Sequence, residues 1–136
     1  MSDDLMLYEK DGRIVTITIN RPEIRNSISA YDMLDAFEAV FEKAAKDHEV
    51  TCIILTGAGS AFSSGGDVKG FAETAAENQA FPNGTRHWYR EGIQRIPLCL
   101  DKVEIPIIAA VNGPAIGAGC DLAMTVSYTH LRAHET

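Results

Sequence analysis

The sequence predicts an α/β fold on three observations. Ile14-Val15-Thr16-Ile17-Thr18-Ile19 alternates apolar with polar or small residues at period two. Met33, Phe37, Val40, Phe41 and Ala44 recur at three- and four-residue steps, the stripe of an amphipathic helix. Cys52-Ile53-Ile54-Leu55 is a short, wholly apolar run of the kind found in a strand covered on both faces.

The elements follow in order. Leu5 to Lys10 and Arg13 to Asn20 flank Asp11-Gly12 and read as a β-hairpin. Arg21-Pro22 ends the second strand, and Ser29 with Asp32 three residues on predicts a capping box that opens the helix, which Asp47 and His48 close. After the Cys52 strand comes a loop of small residues, Thr56 through Asp67, and then a polar segment from Phe71 to Pro82 that suits a helix or a mobile excursion. Thr85 to Val103 carries Trp88, Ile93, Ile96 and Leu100 at near-helical spacing, with Pro97 expected to break or kink it. Ile107 to Val111 reads as another buried strand, Asn112-Gly113-Pro114 as a turn, and Gly117 to Met124 as the beginning of another helix. No internal repeat or low-complexity segment interrupts this order.

Composition narrows the function. The 136 residues are 46% hydrophobic and 23% charged, enough for one globular core. Twelve Lys and Arg against 19 Asp and Glu give a formal charge of -7, so no sequence-wide basic field draws nucleic acid or anionic lipid. Apolar runs such as Ile105 to Val111 fall far short of the roughly 20 residues a membrane helix needs. Met1-Ser2-Asp3-Asp4 carries acid where a secretion signal carries base, which predicts a cytoplasmic protein. Cys52, Cys99 and Cys120 are an odd number, widely spaced in apolar surroundings, so buried thiols are expected rather than a disulfide framework or a zinc site. His130, His134 and Glu135 resemble half a metal site, but His48 and His87 lack partners at ligand spacing, and no metal is expected. Tyr31, Trp88 and Tyr89 read as packing residues.

Two glycine-bearing loops carry the chemistry. Ala61-Phe62-Ser63-Ser64-Gly65-Gly66-Asp67-Val68-Lys69 and Asn112-Gly113-Pro114-Ala115-Ile116-Gly117-Ala118-Gly119-Cys120-Asp121 each follow a buried strand. Small residues there let a ligand approach the main chain, and a helix starting there offers unpaired N–H groups with partial positive charge. Two amides aimed at one point can stabilise an oxyanion. The same glycines could instead serve only tight turns and close helix packing. Gly113, Gly117 and Gly119 do not fit G-x-G-x-x-G, and neither a P-loop Gly-Lys-Ser/Thr nor a G-x-S-x-G elbow occurs.

Four blocks in order resemble the enoyl-CoA hydratase/isomerase, or crotonase, superfamily: Asn20-Arg21-Pro22-Glu23-Ile24-Arg25-Asn26, Ile53-Ile54-Leu55-Thr56-Gly57, Phe62 to Lys69, and Val111 to Ala123. The resemblance covers about Leu5 to Met124 and implies a crotonase-like spiral of ββα units, of which this truncated chain supplies the N-terminal half. It places the oxyanion hole on the backbone N–H groups of Gly66 and Ala118, which would hold the thioester carbonyl of an acyl-CoA. It places Ile24 and Arg25 where the family cradles coenzyme A, and Ser64, Asp67, Val68 and Lys69 along the acyl-CoA loop. Arg25 can meet a phosphate or be a solvated surface charge. Asp121 stands where hydratases of the family carry their first catalytic Glu; dienoyl-CoA isomerase-like members also have Asp there. An acid in the first helical turn is also favoured by the macrodipole alone.

The implied activity is acyl-CoA hydratase or isomerase chemistry through a stabilised enolate. Coenzyme A arrives within the substrate, and no separate cofactor is expected. A dienoyl-CoA isomerase-like enzyme and a non-catalytic acyl-CoA-binding fragment are the alternatives. The family's second carboxylate is expected beyond this chain, so turnover is expected of a longer parent, a homo-trimer or homo-hexamer. Residues 1–125 are read as the crotonase-like part. Val126 to Thr136 lacks the apolar run of a buried strand, resembles the in-frame translation of a transposase sequencing adapter, and is expected to be a non-native tail.

Overall fold

The computed structural model describes residues 4–77, 79 and 81–131. Five strands form one sheet in chain order: β1 (Met6–Asp11), β2 (Ile14–Ile19), β3 (Cys52–Gly57), β4 (Ile107–Val111) and β5 (Tyr128–Leu131). The first pair is antiparallel, Met6 opposite Ile19 and Asp11 opposite Ile14, as the Asp11-Gly12 hairpin requires. Every later pair is parallel, so each connection crosses over the sheet.

The helices are α1 (Tyr31–Lys46), α2 (Val68–Glu77), α3 (Pro82–Glu91), α4 (Arg95–Asp101) and α5 (Ala118–Thr125). Parallel neighbours taken in sequence, with crossovers of one hand, put the connecting helices on one side of the sheet. Packing of α1 on α4 and of α4 on α5 agrees with that single layer. The strands bury one face only. Val15, Ile17, Ile19, Ile53, Leu55, Ile107 and Ala109 are buried, whereas Thr16, Thr18, Ile54, Ile108 and Ala110 between them are half-buried. The apolar run at Cys52 therefore marks a strand with one fully covered face, not two.

Helix α1 supplies the core's other wall. Met33, Leu34, Phe37, Val40, Phe41 and Ala44 are buried along it, with the Phe37 and Phe41 rings 4.7 Å apart. The capping box does not form: Ala30 is the N-cap without a side-chain bond, and Ser29 Oγ instead accepts the Asp67 N–H at 3.0 Å. Pro97 does not break the helical stretch. The chain turns at Gly92 to Gln94, and Pro97 sits third in α4, in the first turn, where an N–H has no intrahelical acceptor to lose. The segment after Phe71 is helical within α2. A strand, β5, does follow α5 on the same sheet, with Tyr128, His130 and Leu131 exposed. Cys120 is exposed rather than buried, while Cys52 and Cys99 are half-buried. His134 and Glu135 lie outside the described residues. No described helix is long and apolar enough to cross a membrane.

Candidate functional site

Beyond the carboxyl ends of β2, β3 and β4, three connecting segments meet and are tied together by side chains bonded to backbone. Asn26 is fully buried at φ 57°, directly after Arg25 at φ 54°. Its Oδ1 accepts the Arg21 N–H at 2.8 Å, and its Nδ2 donates to the carbonyls of Ala58 (2.8 Å) and Ala61 (2.9 Å). Asn112, from the other side, donates to Gly59 O (3.2 Å) and Ala61 O (3.3 Å) and accepts the Gly57 N–H at 3.1 Å. Two asparagines 86 positions apart thus hold one turn between them. Sequence reasoning missed both as organisers, although each sits directly after or before a Pro- or Gly-containing turn.

Ser63, also fully buried, carries the clamp onward. Its hydroxyl donates to Asn26 O (2.8 Å) and accepts the Gly65 N–H (3.1 Å), and its carbonyl accepts the Ile116 N–H (3.0 Å). Ser64 N–H donates to Arg25 O at 2.8 Å, and Phe62 N–H to Pro114 O at 3.1 Å. The three segments are thereby laced as a miniature sheet, with bridges Ser27 to Gly65 and Ser63 to Ala115.

That lacing brings the two glycine loops within reach of each other. A Cβ on Gly65, whose φ is +80°, would lie 2.9 Å from Ala118 N and collide with Ile116 O; a Cβ on Gly119 would lie 2.9 Å from Ser63 C. Only glycine lets these backbones meet. Among the described residues neither the Gly66 N–H nor the Ala118 N–H has a hydrogen-bond acceptor. Ala118 opens α5, so its amide is one of the unpaired donors at a helix start, where partial positive charge gathers.

Two hollows share this corner. A cavity of about 420 Å³ is walled by Gly66, Ala118 and Asp121 together with apolar Ile28, Phe71, Ile96 and Leu122. A wider groove of about 610 Å³ runs past Arg21, Ile24, Tyr31, Asp67 and Trp88. Ser64, Gly66, Val68 and Phe71 line both. Asp121 is the one carboxylate among the residues lining the smaller cavity, and it is exposed.

The structure thus brings together Gly66, Ala118 and Asp121, with Ile24, Ser64, Asp67 and Val68 along the groove. Arg25 and Lys69 are exposed and line neither hollow. Arg21 lines the groove instead, its Nε buried without a hydrogen bond and 3.7 Å from Glu23. Its place before Pro22 is the one signal of it in the sequence. Tyr31 and Tyr89, read as packing residues, are exposed and face the hollows.

Fold and site together describe an α/β protein that offers two unpaired backbone amides and one carboxylate to a ligand in a largely apolar cavity. Residues 9–133 match the enoyl-CoA hydratase/isomerase family, and the chain belongs to that family. It is 35% identical over 122 residues to a short-chain-enoyl-CoA hydratase of Clostridium acetobutylicum, covering 88% of this chain and 43% of that one. A probable enoyl-CoA hydratase of Mycobacterium leprae is 37% identical over 125 residues, 91% of this chain and 42% of its own. Among solved structures, an enoyl-CoA hydratase/isomerase from Xanthobacter autotrophicus Py2 superposes with a TM-score of 0.74 at 34% identity, over 92% of this chain and 45% of that one. A monofunctional enoyl-CoA isomerase from M. smegmatis gives 0.69 at 30% identity, over 93% and 49%. The chain spans less than half the length of these curated relatives.

Proposed function

We propose that the chain binds an acyl-CoA thioester and that its site serves hydratase or isomerase chemistry on 2-enoyl-CoA. The observation that carries this is the pair of acceptor-free amides, Gly66 and Ala118, on one apolar cavity. In this reading the thioester oxygen accepts both N–H groups. Negative charge building on that oxygen is then met by the fixed dipoles of two backbone amides, an arrangement in which losing one donor typically costs about 10²- to 10³-fold in rate. The acyl chain enters the smaller cavity and the coenzyme A portion lies along the groove past Ile24, Tyr31 and Trp88.

Asp121 then acts as acid and base at carbons beside the carbonyl. A positioned carboxyl of this kind contributes typically about 10²- to 10⁴-fold. Coenzyme A enters as part of the substrate, and the chemistry calls for no metal or redox group. Asp121 also favours a second reading, isomerisation of a dienoyl-CoA, because moving a double bond needs one base to carry a proton from one carbon to another. Hydration needs a water activated as well. Assembly as a homo-trimer or homo-hexamer and a second carboxylate contributed by a longer parent rest on the family likeness.

Calorimetric titration tests the binding claim. But-2-enoyl-CoA should bind more tightly than free coenzyme A, and equal affinities would remove the acyl cavity from the account. Chromatography of the products that a longer parent carrying the second carboxylate forms from a 2-enoyl-CoA and a 3,5-dienoyl-CoA separates the reaction classes: a water adduct marks the hydratase, shifted double bonds the isomerase.

A further inference from the structure

Phe71 lies where the groove and the cavity join, and it lines both. Its ring stands edge-on against Gly66: a Cβ built on that glycine would collide with the ring tip and come within 2.9 Å of Phe71 Cε2. The ring is braced. Trp88 meets it edge to face at 5.3 Å and 89°, and Trp88 in turn meets Tyr89 at 5.0 Å and 82°. The Phe71 N–H donates to Asp67 O at 3.1 Å, fixing the start of α2 beneath the ring. Trp88 lines the groove, Tyr89 lines the cavity, and Phe71 forms the wall between them.

We propose that Phe71, braced by Trp88, is a specificity-determining residue that admits acyl groups unbranched at the carbon next to the thioester and excludes branched ones. This rests on the acyl-CoA reading above. If the thioester oxygen sits at the Gly66 amide, the carbon next to the carbonyl passes the Phe71 ring. A straight 2-enoyl group is planar and thin there. A methyl on that carbon would need the ring to leave its edge contact with Trp88, and one methyl-sized misfit in an apolar pocket is worth about 10- to 200-fold in discrimination.

The test is calorimetric affinity of the 136-residue chain for free coenzyme A, but-2-enoyl-CoA and 2-methylbut-2-enoyl-CoA, repeated for Phe71→Leu and Phe71→Ala. The unaltered chain should prefer the unbranched thioester by about tenfold or more. Phe71→Ala should bring the two thioesters close to parity, mainly by tighter binding of the branched one, with Phe71→Leu between. Free coenzyme A should bind all three alike, which also reports that the variants are folded. An unaltered chain that binds both thioesters equally, or variants that keep the full preference, would overturn the proposal. Failure of every thioester to bind better than coenzyme A would overturn the acyl-CoA reading itself, and this proposal with it.

Discussion

The two sides of the molecule are held by different forces. Under the sheet, α1 and the strands meet through Met33, Phe37, Phe41, Ile17, Ile53 and Leu55, all fully buried and apolar. At the strands' carboxyl ends, Asn26, Ser63 and Asn112 hold three loops through hydrogen bonds to backbone. Apolar burial is non-directional, so it makes the layer without setting any one atom's position. Hydrogen bonds are directional, and here they set where the Gly66 and Ala118 amides come to rest. The first side gives stability, and the second gives geometry.

Substitutions on each side should separate these roles. The largest stability loss should come from Phe37→Ala, about 3–5 kcal/mol, because it opens a void in the best-packed region. Whatever remains folded should bind acyl-CoA with unchanged affinity, read by denaturant melts and titration side by side. Asn26→Asp should cost somewhat less, about 2–4 kcal/mol, since it places a carboxylate against the Ala58 and Ala61 carbonyls that now receive an amide. Unlike Phe37→Ala, it should weaken acyl-CoA binding in the molecules that stay folded. If the two variants affect binding alike, the division between the sides is false.

Ser29→Ala should cost about 1 kcal/mol by leaving the Asp67 N–H without its acceptor, and should loosen the groove more than the core. Hydrogen exchange at Asp67 would show it. The smallest effect belongs to the ion pair joining α1 to α4. Arg95 donates to both Glu38 oxygens, at 2.9 and 2.8 Å, and also pairs with Asp35. Those bonds hold the Glu38 carboxyl below the usual carboxylate range. A depressed folded value means stability that is present above the unfolded pKa of about 4.3 and lost as pH falls through the folded one. Glu38 is substantially exposed, so Arg95→Leu should cost no more than about 1 kcal/mol at neutral pH and flatten the acid limb of the stability profile.

The same division explains what could be read from the residues. Ile14 to Ile19 and the Met33 to Ala44 stripe bear periodicities set by burial, so the hairpin and α1 stood where the pattern put them. The family likeness pointed to Gly66, Ala118 and Asp121, and the structure gathers all three on one cavity. Asn26 and Asn112 stood inside the resembling blocks with no role marked, because their partners are backbone atoms of Ala58, Gly59 and Ala61, which any sequence would offer. Ser29 carried a cap signature, yet its hydroxyl went to Asp67 across the groove. A short polar side chain takes whichever donor tertiary packing brings to it.

Amide NMR shows whether Gly66 and Ala118 receive the thioester oxygen, with but-2-enoyl-CoA compared against an S-alkyl coenzyme A thioether of the same chain that lacks the carbonyl oxygen. The Gly66 and Ala118 amide protons should move downfield with the thioester and stay nearly still with the thioether, while residues along the groove respond to both. Equal shifts from the two ligands, or Gly66 and Ala118 unmoved by the thioester, would contradict the claim that these amides receive its oxygen.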